Sequence, residues 1–343
     1  MKTNLTGLTT ESLEKLMVDI GEKPFRGRQL ARWIYKKNCA DFEKMTDISQ
    51  PLRDKLAQLF TLNKLSEIES VRDDSGTRKT LWKLDDGESI ESVLIPDESR
   101  LTLCLSTQVG CPLNCKFCAT GKIGFKRNLT TGEIVNQYLQ SPLGEAERIT
   151  NIVFMGMGEP LLNFDNLLIA LRILLDDNAI GFGAKKITVS TAGIPERIRN
   201  LADSGMKIGL AFSLNAATDE LRNRLMPINR KYNLAENLEA LKYYQSKIDR
   251  RITFEYILIR GVNDRIKDAA NLVKLIKGIP CKINLIRYNP IDGRPFERPD
   301  EKDVIAFRDY LYPQTYAVTL RESKGTDITA ACGQLKANYY NRR

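Results

Sequence analysis

Three cysteines lie within eight residues of chain, at Cys111, Cys115 and Cys118. Three thiolates on one short loop can bind three irons of a cubane cluster and leave the fourth iron without a protein ligand, open to a substrate. A structural zinc site completed by Cys104 is the alternative, but closed zinc sites usually take their ligands from two separated pairs. The spacing therefore favours one [4Fe–4S] cluster per chain, with these three cysteines as its ligands.

The composition excludes several other chemistries. The 343 residues include no histidine, so zinc-protease, Ser-His and Cys-His mechanisms are excluded, and acid–base work falls to carboxylates, thiols or lysines. Seven cysteines, an odd number, indicate a reducing compartment rather than a secreted disulfide framework. A net charge of +9 suits a polyanionic partner such as nucleic acid. Because there is no apolar stretch of signal or membrane-spanning length, we expect a cytoplasmic protein with no membrane contact.

Strand ends are predicted to position the triplet and several other polar loops. From about Leu101 onward, short apolar runs alternate with amphipathic helical stretches, which predicts an α/β fold with a parallel sheet, open or barrel-like. The predicted strands are 101–105, 152–155, 187–189, 208–212, 252–257 and 283–285. Ligands bind at the carboxyl ends of such strands. The loops that follow the first four strands contain the triplet, residues 156–160, Ser190 and residues 213–215.

The region before the sheet is predicted to hold two smaller units. Helical spacing after a cap at Thr10, and a second helix opening at Pro51, indicate a helical accessory domain that we expect to bind RNA. The Asp-Gly pair ending at Gly87, between two strand-like runs, predicts a β-hairpin. The predicted organisation is an accessory domain at 1–62, a β-hairpin extension at 63–96, a core at 97–335 and a basic C-terminal tail at 336–343.

The triplet, with Phe117 directly before its last cysteine, resembles the signature loop of the radical-SAM superfamily. The resemblance implies a partial (β/α)6 TIM-like barrel, in which the open iron binds S-adenosylmethionine (SAM) and an electron from the cluster cleaves SAM to a 5′-deoxyadenosyl radical. Residues 156–160 are similar to the superfamily's Gly-Gly-Glu motif, where glycine permits a close backbone approach to the cofactor. The resemblance implies that the SAM-binding residues are Gly158, Glu159, Ser190, Ser213, Leu214, Asn215 and Asn289.

Two further cysteines carry a narrower resemblance. Cys104 ends the first predicted strand, and Cys332 lies in the glycine-flanked segment 325–335. Both segments are similar to the RlmN/Cfr family of RNA adenosine methyltransferases, and the similarity runs from roughly Phe25 to Asn338. It implies that Cys332 takes a methyl group from one SAM, and that the radical from a second SAM removes a hydrogen from this methyl group. The two remaining cysteines, Cys39 and Cys281, are predicted to be small buried residues.

The remaining steps implied by this family concern the adenine ring. Carbon 2 of adenine is electron-poor and cannot act as a nucleophile toward SAM, but a carbon radical can add there. Cys104 then resolves the adduct and leaves a Cys104–Cys332 disulfide. Glu91 matches a glutamate that is assigned as the proton acceptor in the family. Whether Glu91 or Cys104 takes the ring proton stays open.

The family contains two activities. The RlmN branch methylates carbon 2 of an adenosine in the peptidyl-transferase region of 23S rRNA and of one next to the tRNA anticodon, whereas the Cfr branch methylates carbon 8 and confers antibiotic resistance. Pro160 resembles the RlmN branch, while residues 284–290 and the short tail after Cys332 are nearer the Cfr branch. We predict the RlmN activity, with the Cfr activity and a non-catalytic, zinc-stabilised RNA-binding protein as alternatives. The resemblance also implies two SAM per turnover, a low-potential electron donor such as flavodoxin, and a monomer.

A basic rim is predicted beside the site. In the segment that follows Phe25, basic side chains fall on one helical face, opposite apolar ones that include Leu30, Trp33 and Ile34. This basic face could bind RNA phosphates, and the alternative interpretation is that it contacts only solvent. Because a ring carbon in a pocket can be reached only by an unstacked base, the target should be a loop or unpaired adenosine. The predicted rim consists of Arg28, Arg32, Lys36, Lys122, Lys126 and Arg127.

Overall fold

A computed structural model describes residues 2–145 and 147–336. The predicted basic tail at 336–343 therefore lies outside the described residues, except for Lys336. The strands are β1 Thr3–Asn4, β2 Phe60–Thr61, β3 Ser66–Arg72, β4 Arg78–Lys83, β5 Ser89–Asp97, β6 Arg100–Cys104, β7 Gln108–Gly110, β8 Phe125–Asn128, β9 Asn151–Phe154, β10 Ile187–Thr191, β11 Gly209–Ser213, β12 Ile252–Leu258, β13 Cys281–Arg287 and β14 Val318–Arg321. The α-helices are α1 Thr10–Asp19, α2 Phe25–Ala31, α3 Gln50–Leu59, α4 Ala119–Ile123, α5 Thr131–Leu139, α6 Phe164–Leu175, α7 Pro195–Asp203, α8 Asp219–Leu225, α9 Leu234–Ile248, α10 Ile266–Ile276 and α11 Glu301–Leu311.

The N-terminal segment is helical, as predicted. Helix α1 is capped by Thr9, whose side chain accepts a hydrogen bond from the backbone N–H of Ser12, so the prediction of Thr10 as the cap is wrong by one residue. A π-helical turn, Arg32–Lys36, continues α2. The short strands β1 and β2 pair in parallel and bring the two ends of this segment together.

The central feature is a ten-stranded sheet with the order β14-β13-β12-β11-β10-β9-β6-β5-β4-β3. Strands β6 and β9 to β14 run parallel, and β6 to β3 are joined by antiparallel pairs. All six predicted parallel strands are present, and β14 is a seventh that the sequence analysis missed. In the described part of the chain β14 does not pair with β3, which agrees with a partial, open barrel.

Strand residues alternate between a helix-facing side and an interior side of this sheet. Tyr256 on β12 lies 5.4 Å from Phe307 of α11, measured between ring centroids, so it faces the helices. Its neighbour Glu255 therefore points to the opposite face. Glu255 pairs in register with Ser213 of β11 and with Asn284 of β13. A row of polar side chains thus lines the interior of the barrel.

The predicted β-hairpin is confirmed by the antiparallel pair of β4 and β5, which is joined across the turn before Ser89. The extension is not a separate unit, because β5 continues the sheet by pairing with β6. Trp82 of β4 is buried there and donates a hydrogen bond to the Ser92 hydroxyl over 2.8 Å. The extension therefore places its side chains directly beside Cys104, the last residue of β6. Within the described residues, none of the helices is both long and apolar enough to span a bilayer.

Candidate active site

The cysteine triplet lies on a loop between the paired strands β7 and β8. Gly110, the last residue of β7, has a φ of +75°, and a Cβ atom there would lie 1.8 Å from the carbonyl oxygen of Gly124. That same carbonyl accepts a hydrogen bond from the backbone N–H of Cys111 over 2.8 Å. Only glycine fits at position 110, and the two ends of the cysteine loop are consequently held together.

The three thiols share one apolar pocket that includes Leu113 and Phe117. Burial raises the pKa of Cys111 to about 12. Burial also raises the pKa of Cys115, and the negative charges of Cys118 and Cys111 add to this effect. Bound iron would replace the thiol protons and remove this penalty, because metal binding requires the thiolate form.

The donor set fits a cubane cluster. Each thiolate ligand of such a cluster binds a different iron, so the three sulfur atoms need not converge on one point. Within the described residues, no three cysteine, aspartate or glutamate side chains are grouped so as to hold a single metal ion. Three free, half-buried thiols on one loop match the ligand set of a [4Fe–4S] cluster.

Gly158 and Glu159 connect the ends of two parallel strands. Gly158 has a φ of +102°, and a Cβ atom there would lie 2.6 Å from Cβ of Gln108. The carboxylate of Glu159 accepts hydrogen bonds from the backbone N–H groups of Ala192, over 2.8 Å, and Leu161, over 3.1 Å. Burial raises the pKa of Glu159, while these donors act in the opposite direction. The turn after β9 is thereby fixed against the end of β10.

Four of the predicted SAM-binding residues lie at the carboxyl ends of β10 and β11, with Ser190 and Ser213 still inside these strands. The hydroxyl oxygens of Ser190 and Ser213 lie 3.4 Å apart, and both side chains are half-buried. Leu214 and Asn215 are buried, and the Asn215 side chain accepts a hydrogen bond from the backbone N–H of Ile257 over 3.0 Å. The two serine hydroxyls can face a cofactor, whereas Leu214 and Asn215 form the wall of the site.

Asn289 follows β13 and has an unused acceptor. Its Nδ2 donates a hydrogen bond to the carbonyl oxygen of Cys332 over 3.3 Å. Its Oδ1 is buried and accepts no hydrogen bond from any described residue. Buried polar atoms usually have a partner, so this oxygen is suited to a donor on a bound ligand. The amino and hydroxyl groups of SAM are donors of that kind.

Cys104 ends the inner strand β6, and Cys332 lies in the segment that follows the edge strand β14. Burial raises the pKa of Cys104 to about 12, and the charge of Cys332 adds to this. Burial also raises the pKa of Cys332, and the guanidinium of Arg321 opposes that shift. Geometry places the Cys332 segment on the side of the sheet where β6 ends. Cys104 pairs in register with Val93 of β5, and Glu91 on the same strand accepts a hydrogen bond from the backbone N–H of Lys336, four residues after Cys332. No disulfide joins them here, because all seven cysteines are free thiols.

Glu91 lies on β5 and holds the loop that carries Cys332. One of its carboxylate oxygens accepts a hydrogen bond from the backbone N–H of Lys336 over 2.8 Å. The other lies 3.2 Å from Nζ of Lys79, which also donates to the hydroxyl of Thr329 over 2.8 Å. Lys79 and Glu91 therefore bind the Cys332 loop on both sides of the cysteine, at Thr329 and at Lys336.

Comparison with known proteins places this arrangement in a family. The family model described as the Radical SAM superfamily matches residues 105–273, and the ribosomal RNA large subunit methyltransferase N-terminal domain matches residues 3–62. The dual-specificity RNA methyltransferase RlmN of Geobacter sulfurreducens is 47% identical, over 97% of this chain and 92% of its own length. The chain belongs to the RlmN family. An RlmN protein of an Anaeromyxobacter species is 44% identical, over 98% of this chain and 91% of its own.

Membership of the RlmN family agrees with the solved structures. A radical SAM methyltransferase from Sphaerobacter thermophilus superposes with a TM-score of 0.93 at 41% identity, covering 98% of this chain and 99% of that one. The predicted family and the predicted α/β partial barrel are confirmed. The carbon-8 and zinc-protein alternatives are not favoured. The radical-SAM superfamily implies a [4Fe–4S] cluster and SAM as cofactors.

The basic rim is present in part. The basic face of α2 and its π-helical continuation is exposed, with Arg32 and Lys36 on the surface, while Leu30 and Trp33 are buried. Arg28 is exposed but forms an ion pair with Glu14. Arg127 is half-buried and already has two carboxylate partners, so its place in the rim stays a prediction. Its guanidinium bonds to both carboxylate oxygens of Glu133 over 2.8 Å and lies 2.6 Å from a carboxylate oxygen of Asp86.

Several residues of the site were missed by the sequence analysis. Lys79, Glu255 and Arg321 lie near the two outlying cysteines, and Arg222 lies behind the triplet. The alternation of polar and apolar residues along β12 was a usable signal for Glu255, whereas the contacts of Lys79 span 250 residues of chain. The two other cysteines differ from each other, because Cys281 is buried as predicted but Cys39 is only half-buried.

Replacing Lys79 with methionine should free the Cys332 loop. We expect RNA methylation to fall at least tenfold and the free energy of unfolding to fall by about 3 kcal/mol, because one partner of a buried ion pair is removed. Methyl transfer assays and urea denaturation measure the two effects, and iron content should stay unchanged. Lys83→Met on the same strand is the control, since Lys83 is exposed. Equal activity in the two variants would contradict a role for Lys79 in holding the loop.

Proposed function

We propose that the chain makes 2-methyladenosine in RNA, in the peptidyl-transferase region of 23S rRNA and next to the tRNA anticodon, through an S-methylcysteine at Cys332. The observation that carries the proposal is the position of the Cys332 segment between the triplet and β5. The carbonyl of Gly333 accepts a hydrogen bond from the backbone N–H of Ala119, directly after Cys118, and Glu91 of β5, the strand that pairs with Cys104, binds Lys336. The RNA methyltransferase activity of the RlmN relatives supports the proposal. Methylation of a ring carbon through an S-methylcysteine requires two thiols: one that carries the methyl group and a second that releases the product from it.

The cofactor residues have separate roles. Cys111, Cys115 and Cys118 would hold one [4Fe–4S] cluster per chain. When bound, the cluster supplies the electron that cleaves SAM to a carbon radical, and two SAM are used per turnover. Residues 158–159 would approach the cofactor closely, and the hydroxyls of Ser190 and Ser213 would orient it. The unused Oδ1 of Asn289 would accept a hydrogen bond from an amino or hydroxyl group of SAM.

Cys332 acts first as a nucleophile. Its thiol loses a proton, the sulfur bonds to the methyl carbon of SAM, and S-adenosylhomocysteine leaves. Arg321 favours the thiolate form, since its positive charge opposes the rise in the pKa of Cys332. The loop contacts made by Lys79 and Glu91 keep this sulfur beside the cofactor pocket. The methylene carbon, a radical after loss of one hydrogen atom to the 5′-deoxyadenosyl radical, would add to carbon 2 of adenine. The adduct must then lose one electron, equal to the one that SAM cleavage consumes, and one ring proton before the S–C bond is broken.

Cys104 completes the sequence. Its sulfur bonds to that of Cys332, the S–CH₂ bond breaks, and the carbon takes a proton to become the methyl group of the product. Either Cys104 or Glu91 accepts the proton that leaves carbon 2. The disulfide that results must be reduced before the next cycle, which a cytoplasmic location allows.

The remaining partners follow from charge and chemistry. Arg32 and Lys36 are exposed on the accessory helices, and Lys122 and Lys126 are exposed after the triplet, where they can contact RNA phosphates. We propose that the accessory segment at 1–62 binds RNA, that the core spans 97–335, and that the enzyme is a monomer. A low-potential protein such as flavodoxin would supply the electron.

Product analysis tests the proposed function. Anaerobically prepared protein with SAM, a low-potential reductant and RNA should yield 2-methyladenosine in nuclease digests examined by chromatography and mass spectrometry. Assays in air or without reductant are the control and should yield none. If the product is 8-methyladenosine, the enzyme has the Cfr activity. Residues 284–290 resemble the sequence of that branch. Colourless protein with one bound zinc would instead support the RNA-binding alternative.

A further inference from the structure

Arg222, on helix α8, is an arginine that is fully buried, with 0% of its surface exposed. Its Nε donates to the carbonyl oxygen of Leu214 over 3.0 Å. Its Nη2 donates to the carbonyl oxygens of Ala192, over 2.6 Å, and Ser213, over 3.0 Å. Its Nη1 donates to Oδ1 of Asn229 over 2.7 Å. Every one of these acceptors is neutral.

A charge in this position is unfavourable, because a buried cation normally requires a partner of opposite charge. Among the described residues no carboxylate lies within ion-pair distance of Arg222. Its link to Asp219 is indirect and runs through the side chain of Asn229. Asn229 Nδ2 donates to a carboxylate oxygen of Asp219 over 2.8 Å, so a neutral amide separates that aspartate from the guanidinium. Burial lowers the pKa of Arg222 to about 10, which still leaves it charged at neutral pH.

The group that helix α8 packs against is the cysteine triplet, whose three thiolates would be negatively charged when they hold a cluster. Helix α8 lies against the cysteine loop, since the backbone N–H of Lys116 donates to the carbonyl of Leu225 over 2.9 Å. Leu225 also packs in the same apolar cluster as Leu113 and Phe117.

We propose that Arg222 is a positioning residue that holds the ends of β10 and β11 in place, and that its positive charge stabilises the reduced form of a cluster bound at the triplet. The proposal rests on the proposed cluster, but not on the identity of the RNA substrate. Reduction adds one electron from the external donor, and hence one unit of negative charge, to the cluster and its three thiolates. A fixed cation in a medium of low dielectric constant favours that added charge and raises the midpoint potential.

The test is a redox titration of the reconstituted holoprotein, followed by electron paramagnetic resonance, without RNA. Arg222→Gln removes the positive charge but keeps an amide group that can donate a hydrogen bond to a backbone carbonyl oxygen. We expect the equilibrium constant for reduction to fall by about tenfold, which moves the midpoint about 59 mV more negative for a one-electron couple. Arg222→Lys keeps the charge and should keep the midpoint of the original protein.

Arg224→Gln is the matched control, because Arg224 lies on the same helix but is exposed, where water and salt screen its charge. Its midpoint should not move. Four irons per chain in Arg222→Gln with an unchanged midpoint would overturn the proposal. If Arg222→Gln does not fold, Arg222→Lys decides: an unchanged midpoint supports the proposal, and a midpoint shifted to more negative values overturns it. Absence of a cluster from the unmodified protein would refute the proposed function itself.

Discussion

Cys104→Ala protein purified from cells should carry covalently bound RNA, whereas Cys332→Ala should carry none. In Cys104→Ala, Cys332 can still accept a methyl group and bond to adenine, but no second thiol is present to break the S–CH₂ bond. Cys332→Ala lacks the sulfur that accepts the methyl group, so the reaction cannot begin in that variant. Both variants should lose methylation of RNA completely. Denaturing gels with nuclease treatment, and mass spectrometry of the Cys332 peptide, measure the adduct.

The double variant separates these roles from simple structural damage. Without the carrier the resolving step has no substrate, so Cys104→Ala combined with Cys332→Ala should behave as Cys332→Ala alone. All three variants should keep four irons, because neither cysteine belongs to the triplet. If the two single variants are equally free of RNA, or if Cys104→Ala turns over normally, then Cys104 has no resolving role and is only a buried strand residue.

Cys115→Ala should lose the cluster and all activity. Three thiolates are the minimum set for a cubane with one open iron, and an alanine leaves only two in the pocket. Anaerobic protein should bind close to four irons and four sulfides when unmodified, and far fewer in the variant, as measured by iron and sulfide analysis and by the visible absorption of the cluster. Methylation should fall below detection.

Cys39→Ala is the control for the loss of a thiol. Cys39 is half-buried in the accessory segment, and its sulfur donates a hydrogen bond only to the carbonyl oxygen of Asp41 among the described residues, over 3.2 Å. That variant should keep its iron and its activity. Retention of four irons by Cys115→Ala would show that the triplet is not the ligand set.

Six of the parallel strands were predictable because each contains a short, mostly apolar run between amphipathic helical stretches. The edge strands were not. Strand β3 has the sequence SEIESVR with mostly exposed side chains, and only its backbone pairing with β4 identifies it. Strand β14 is four residues long and only partly buried. Sequence periodicity reports burial, and these strands have little of it.

The residues of the site also fall into those that the sequence could predict and those that it could not. The triplet could be found because closely spaced cysteines in a protein without a disulfide framework are typical of metal or redox sites. Cys104 and Cys332 were singled out by their resemblance to the RlmN/Cfr family. Lys79 and Arg222 could not be found, since each is an ordinary charged residue within its own strand or helix. Their importance arises from partners distant in sequence, such as Thr329 for Lys79 and Ala192 for Arg222. Pairing between distant segments has no local signal in a single sequence.

The open edge of the sheet has a consequence for how such an enzyme could arise. The segment after β14 that bears Cys332 forms no strand pair in the described residues, and side chains such as Lys79, Glu91 and Lys324 attach it to the β-extension. A carrier cysteine of this kind can be added to the end of an existing barrel, or exchanged, without altering any ladder of the sheet. The sheet and the Cys332 segment are thus structurally separable, because side-chain and loop contacts rather than strand pairs join them.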